Sequence, residues 1–277
     1  MASRVISAIV GIPLVMGAVL AGLPWLSLLV AVLASLGALE FYRMAKRRGV
    51  RPAVLLGIAW ALAFIVSGHL NGWPIPWVIL GGIVVTLLWH QASRFVSLPL
   101  LVKNASVSKG FNDSLADWAY TAAGAVYMGW TLSLFLVLRT EPKGLEWLLV
   151  ILLGTFATDT GAFFIGKTLG RKALAPQVSP GKTWEGAVGG FIFGAGTVLA
   201  LTPWLELPIS IWEGAALGAL VGVSAQVGDL VESITKRAAG VKDSGKLIPG
   251  HGGILDRLDS VVFVVVVVYH FFIWVVK

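Results

Sequence analysis

The sequence has no cysteine among its 277 residues, so disulfides and thiol chemistry are excluded and redox usage says nothing about compartment. Charge is also scarce. Asp, Glu, Lys and Arg make up only 13%, against about 25% in an ordinary soluble domain. Acidic residues are the scarcer sign, 14 against 21 Lys and Arg. Hydrophobic residues reach 57%, above the roughly 45–50% of soluble chains. A soluble globular protein is therefore excluded, and a polytopic integral membrane protein is expected. The net charge of +7 would suit nucleic acid. In so apolar a chain it is better read as the excess of Lys and Arg on the cytoplasmic side, and no nucleic-acid partner is expected. There is no internal repeat and no disordered tract. Residues 5–21 are apolar after Arg4, but another apolar segment follows almost at once with no cleavage site between, so no signal peptide is read.

What is present is a series of apolar runs. A span needs roughly 20 apolar residues. Nine segments qualify, at about 5–22, 25–40, 53–69, 75–90, 117–138, 146–165, 186–203, 210–228 and 258–276. The expectation is an all-α protein of about nine transmembrane helices. Residues 1–145 carry five of them, and residues 146–277 carry the others together with the motif-bearing loops. The last run is rich in valine and would look like a strand in water. In lipid a helix satisfies its own backbone, so it is read as helix. His270 within it is read as packed or interfacial. Gly22-Leu23-Pro24 makes a tight turn between the first two spans, and residues 91–116 read as a polar loop.

The loops set the orientation. With the N-terminus cytoplasmic, all of the 21 Lys and Arg except Arg139, Lys143 and Lys277 fall on the cytoplasmic side. A basic, cysteine-free chain of this kind fits the bacterial cytoplasmic (inner) membrane, with membrane lipids as its surroundings. Gly186, Gly190 and Gly194 line one helix face, and Gly214, Gly218 and Gly222 line another. Small residues at that spacing let helices approach closely. Packing within one chain is the first reading, and a homodimer is the alternative use of these faces.

Polar chemistry gathers in three places on the same side. The densest runs from Asp229 to Ser260. It holds Asp229, Asp243, Asp256 and Asp259, with Glu232 beside the first, and the cations Lys236, Arg237, Lys242, Lys246 and Arg257. Carboxylates hold Mg²⁺ while Lys and Arg offset phosphate charge, so the stretch suits metal-dependent phosphate chemistry. If the eighth helix runs past Asp229, then Asp229, Glu232, Ser233 and Lys236 share a face. Asp256 and Asp259 would open the ninth helix, and Asp229 and Asp256 would flank one loop as a pair able to bridge Mg²⁺. The second place is Asp159 in the sixth span, where an ionisable group is costly and a functional role is the default reading. The third is Ser179-Pro180-Gly181-Lys182-Thr183-Trp184-Glu185-Gly186. Its Gly-Lys-Thr triplet is not a nucleotide P-loop, because Pro176 stands where the first glycine is needed and no strand is read before it. A helix starting near Thr183 with Lys182 beside it remains a fair phosphate site.

From Ser233 to Asp259 the order S-x-x-K-R, then K-D, then P-G-H-G-G-x-x-D-R-x-D resembles the signature of the phosphatidate cytidylyltransferases, also called CDP-diacylglycerol synthases. The upstream G-D-L-x-E-S from Gly228, the S-P-G-K-T-W-E-G and the D-T-G-A-F-F from Asp159 are similar to that family too. The resemblance covers roughly the C-terminal 120 residues; the first 150 match only as apolar spans. It implies that CTP and phosphatidate give CDP-diacylglycerol and pyrophosphate, with Mg²⁺ as cofactor. It implies Asp229 and Asp256 as metal ligands, with Asp259, Asp243 and Asp159 as lesser candidates. Lys182, Lys236, Arg237, Lys242 and Arg257 would take phosphates, alongside Ser179, Thr183 and Ser233. His251, Gly252 and Gly253 would meet the leaving pyrophosphate or shape the turn.

Three rivals remain at this point. A CTP-using lipid kinase, or a synthase acting on archaeal ether lipids, shares the substrate logic; a kinase would release CDP. A transporter could use Asp159 as an ion path, but the polar groups crowd one side and no inverted repeat shows. A structural scaffold would not need charges in such dense alternation.

Overall fold

In lipid a backbone must satisfy its own hydrogen bonds, and a helix does so within one segment. The chain meets that demand almost everywhere. The computed structural model describes residues 2–71, 74–96, 111–248, 250 and 252–277. Its helices are α1 (Ala2–Ala21), α2 (Trp25–Arg47), α3 (Val54–His69), α4 (Ile75–Val96), α5 (Phe111–Gly124), α6 (Thr131–Thr140), α7 (Gly144–Leu169), α8 (Trp184–Trp204), α9 (Ile211–Ala238), α10 (Leu255–Leu258) and α11 (Val261–Phe271). A π-helical turn, Ala125–Trp130, joins α5 to α6, and a second, Phe272–Val276, extends α11.

Each of the nine expected apolar segments falls on helix, with α5–α6 and α10–α11 each forming one rod. Among the described residues, seven helices are long and apolar enough to cross a membrane, and the apolar helices Ile9–Ala21 and Val54–His69 are shorter. The molecule is an all-α, multi-pass membrane protein. Helices overrun the apolar runs at the polar ends. The C-terminus of α2 reaches Arg47, and α9 continues ten residues beyond the expected 228 to Ala238. Hydropathy marks the part in lipid, but helix propensity continues into the interface. For the same reason the expected loop 91–116 is narrower: α4 runs on to Val96 and α5 starts at Phe111, and 97–110 lie outside the described residues.

One expectation is corrected. A strand does precede Lys182. β1 (Ala173–Ala175) pairs antiparallel with β2 (Ser179–Thr183), in a register that sets Ala173 opposite Thr183 and Ala175 opposite Ser179. Three residues are too few for alternation to be legible. The ribbon is held by a turn, Val178 N–H to Ala175 O at 3.1 Å, and by the Glu185 carboxylate, which accepts from the N–H groups of Arg171 (3.0 Å) and Lys172 (3.3 Å). The P-loop stays excluded, since Pro176 still occupies the glycine position.

The glycine faces pack within the chain. A Cβ at Gly218 would lie 2.6 Å from Ala195 O, one at Gly190 2.8 Å from Thr158 O, and one at Gly222 3.2 Å from Phe191 O. Helices α7, α8 and α9 thus meet backbone to backbone, and α8 is the middle member. The N-terminal helices pack around buried Tyr42, Phe64 and Met128, with the Tyr42 hydroxyl donating to Thr121 O at 2.8 Å. His270 is packed as expected, its Nδ1 2.8 Å from Val266 O and its ring edge-on to Tyr269 and Trp274.

Cations divide between the two ends. Arg139 reaches Val19 O (3.4 Å), Lys143 reaches Leu205 O (3.3 Å) and Lys277 reaches Glu141 (2.7 Å), all at one end. At the other end Arg48 donates to Ala238 O, and Arg237 donates to Val178 O (3.0 Å) and Val241 O (3.3 Å). There the tips of α2, α9 and the β-ribbon meet the segment 241–254.

Candidate active site

The small residues that bring α7, α8 and α9 together also bring their polar groups together. At the end where the ribbon sits, a cavity of about 320 Å³ is lined by Asp159 of α7, Asp229 and Lys236 of α9, Asp243 of the following segment, Asp256 and Arg257 of α10, and Asp259 and Ser260. Gly228 permits this. A Cβ there would stand 2.5 Å from Asp259 O and 3.1 Å from Ser260 Cα, so only glycine lets the α10–α11 junction press against α9 beside Asp229. The i, i+3, i+4, i+7 face holds, because α9 runs unbroken through Asp229, Glu232, Ser233 and Lys236.

Charge pairing organises the cavity. Thr183 caps α8 by accepting from Gly186 N–H at 3.1 Å, which fixes the backbone beside Lys182. The Lys182 ammonium then lies 2.8 Å from Asp229 Oδ2. Across the cavity the Lys236 ammonium sits between two carboxylates, 2.5 Å from Glu232 Oε2 and 2.7 Å from Asp256 Oδ1. Glu232 is buried and Lys236 nearly so, and in such surroundings one partner would be costly without the others.

Asp256 is heavily engaged. Besides Lys236, it accepts from Ser244 N–H (3.0 Å to Oδ2) and Gly253 N–H (2.8 Å), and it shares the single proton of the Ser244 hydroxyl, 3.0 Å away, with Glu40. Gly252, at φ +83°, would place any Cβ 2.5 Å from that carboxylate. Ile248 N–H bonds Gly252 O at 2.9 Å and closes the turn. The turn therefore wraps the Asp256 side chain.

The cavity thus assembles seven expected residues, Asp159, Asp229, Lys236, Asp243, Asp256, Arg257 and Asp259, with Lys182 joined through Asp229. Other candidates stand apart from its lining. Arg237 is spent on the carbonyls of Val178 and Val241, tying the ribbon to α9. Lys242 is exposed, Ser179 begins β2, Ser233 is buried within α9, and Gly253 gives its N–H to Asp256. His251 lies outside the described residues.

Sequence reading missed Glu40. It is the last residue of the expected second span, 25–40. It is 3% exposed, and its carboxylate accepts from the Ser244 hydroxyl (2.9 Å) and from the N–H groups of Ile254 (3.1 Å) and Leu255 (2.9 Å). The signal is a lone acid in α2, with no other charge in that helix before Arg43.

The donor set suits magnesium. Among the described residues no group of three His, Cys, Asp or Glu side chains closes around a metal by itself. Mg²⁺ does not require that; it is commonly held by one or two carboxylates with water and substrate phosphates. Asp159 of α7, Asp229 of α9 and Asp259 of the α10–α11 junction supply oxygen donors around one open cavity.

The comparisons with known proteins give the family. Residues 2–275 match the model of the cytidylyltransferase family. A phosphatidate cytidylyltransferase of Synechocystis sp. is 35% identical over 97% of this chain and 95% of its own length. One from Staphylococcus aureus is 31% identical over 94% of this chain and 95% of its own. One from Brucella suis is 35% identical over 73% of each. The match extends over both the apolar N-terminal helices and the charged C-terminal stretch, and the chain belongs to the cytidylyltransferase family.

Proposed function

We propose that this chain is a phosphatidate cytidylyltransferase, which transfers the cytidylyl group of CTP to phosphatidate and yields CDP-diacylglycerol and pyrophosphate. The observation that carries the reading is the single cavity into which carboxylates of three helices and the cations Lys236 and Arg257 converge, at the end of a membrane-spanning bundle. Both substrates are polyanions, and one is anchored in lipid. A site at the tip of the bundle can receive a soluble nucleotide from one side and a headgroup from the other.

In the reaction, a phosphate oxygen of phosphatidate attacks the α-phosphorus of CTP. A new P–O–P bond forms, and the bond to the β-phosphate oxygen breaks, with its electron pair leaving on pyrophosphate. The attacking phosphate is already an anion, so no strong general base is needed. Positioning and charge stabilisation are what the protein must supply. Lys182, Lys236 and Arg257 take phosphate oxygens, and Lys182 holds Asp229 in place until they arrive. Asp229, Asp259 and Asp159 are the residues that would hold Mg²⁺. Bound there, the ion offers Lewis-acid neutralisation of the triphosphate. The hydrogen bonds on both Asp256 oxygens favour a loop-holding role for it, with ligation as its lesser use. Asp243 lines the cavity and the exposed Lys242 precedes it, in reach of solvent, as a further phosphate candidate, while Gly252 and Gly253 shape the turn beside Asp256.

The cytoplasmic face is assigned to the ribbon end, with the N-terminus inside and the chain in the bacterial inner membrane. Arg139, Lys143 and Lys277 meeting at the far end support that assignment. A homodimer would have to use a surface other than the Gly-lined faces, which are filled within the chain.

The test is pyrophosphate release by the purified protein in detergent, with CTP, phosphatidate and Mg²⁺, beside an Asp256→Asn variant. Release that requires both substrates and collapses in the variant is the expected result. CDP release without pyrophosphate would replace this reading with a lipid kinase. No turnover of CTP with any lipid phosphate or alcohol would overturn it.

A further inference from the structure

We propose that Glu40, on α2, is a positioning residue of the active site: it holds the segment 244–256 in the shape that presents Asp256, Arg257 and Asp259 to the cavity. The inference rests on the reading that this cavity is the catalytic one.

The argument begins with what an acid is doing there. Glu40 lies inside α2, ahead of the helix's basic end at Lys46 and Arg47, and its side chain is buried. A buried carboxylate is tolerated only when hydrogen bonds satisfy it. All three that it accepts come from one segment, more than 200 residues away in sequence. Oε2 receives the Ser244 hydroxyl at 2.9 Å and Leu255 N–H at 2.9 Å, and Oε1 receives Ile254 N–H at 3.1 Å. Ser244 also gives its own N–H to Asp256 Oδ2 at 3.0 Å. Glu40, Ser244, Asp256, Lys236 and Glu232 therefore form one continuous chain of contacts that ends at the cavity.

The glycines give a second, independent observation. A Cβ on Gly245 would run into the Glu40 carboxylate, and a Cβ on Gly253 would run into both that carboxylate and the Ser244 hydroxyl. Neither glycine has positive φ, so conformational freedom does not explain them. The segment folds around the Glu40 side chain and leaves no room for any other at those two places. Two of its glycines are thus explained by a residue in the first fifth of the chain, in a half whose sequence shows only spans.

The geometry also separates positioning from chemistry. Glu40 does not line the cavity, and its acceptors are filled by Ser244, Ile254 and Leu255. It acts through the residues it holds. A displacement of about 1 Å in such a support costs on the order of 100-fold in rate.

The test uses the full-length protein in detergent with CTP, phosphatidate and Mg²⁺. Glu40→Gln keeps the size of the side chain but turns an NH₂ towards donors. Its expected effect is a fall in kcat of about 10- to 100-fold, with KM for CTP changed less than threefold. Glu40→Asp, which keeps the acceptors on a shorter stem, should recover part of that loss. Gly245→Ala should depress kcat in the native background and add little in Glu40→Ala, where the space is open; such non-additivity marks two residues acting through one contact. Native kcat in Glu40→Gln would overturn the inference. So would a loss that only tracks the folded fraction, measured by size-exclusion and thermal melting, or an equal cost of Gly245→Ala in both backgrounds. Asp256→Asn is run alongside. If it collapses while Glu40→Gln stays active, the positioning role alone falls; if Asp256→Asn also stays active, the site reading falls with it.

Discussion

Lys182, just before the cap of α8, reaches Asp229 on α9, with its ammonium 2.8 Å from Oδ2 and the two side chains 23% and 36% exposed. A half-exposed pair of this kind contributes about 0–1 kcal/mol to stability. So little stability explains neither residue. Lys182→Met should leave the melting temperature within a few degrees of native and cut kcat/KM by roughly 100- to 1000-fold, the scale of losing one preorganised charge at a reacting centre. Pyrophosphate release and thermal melting on the same preparation check both halves.

Metal dependence should divide the carboxylates. Chelation with EDTA is expected to abolish turnover and added Mg²⁺ to restore it. Asp229→Asn and Asp259→Asn should raise the Mg²⁺ concentration needed for half-maximal rate by about tenfold or more, while Lys182→Met should move the CTP dependence instead. A titration of rate against Mg²⁺ at saturating CTP distinguishes them. Unchanged Mg²⁺ dependence in both aspartate variants would remove them from the metal site.

Helix packing makes a prediction about stability alone. Gly218 faces the Ala195 backbone at 2.6 Å from where a Cβ would sit, whereas Gly196 has nothing within 4 Å. Gly218→Val should destabilise by about 1–3 kcal/mol, the usual cost of overpacking. Gly196→Val should be close to neutral. Circular dichroism melts in detergent, with activity per folded molecule unchanged in the second variant, test this.

The absence of cysteine makes orientation directly measurable. Gln177→Cys lies in the turn of the ribbon and Pro208→Cys in the exposed connection between α8 and α9. In intact cells a membrane-impermeant maleimide should label Pro208→Cys and reach Gln177→Cys only after permeabilisation. The reverse pattern would invert the proposed topology.

Much of this was legible in the sequence because lipid imposes a simple code. Runs of about twenty apolar residues had one available structure, and all nine became helix. The Asp229, Glu232, Ser233 and Lys236 face followed from helical period once α9 was taken to run on. What escaped was decided by contacts distant in the chain. The ribbon is too short to show alternation, and it is set by Glu185 binding Arg171 and Lys172. Glu40 looked like the end of a span because its partners lie beyond residue 240. Asp256 reads as a metal ligand with the amides of the preceding glycines beside it, but Ser244, twelve residues back, is a partner that spacing alone does not reveal.

Between α8 and α9 the contact is backbone against backbone, with Gly218 on Ala195 and Gly222 on Phe191. Gly214 adds a third close approach there, against the Thr202 side chain of α8. Asp229 and Lys182 are thus carried on what is mechanically one plate, and their separation is set once, at folding. The opposite wall, which carries Asp256, is fastened from α2 through Glu40, so the two sides of the cavity are set by separate contacts.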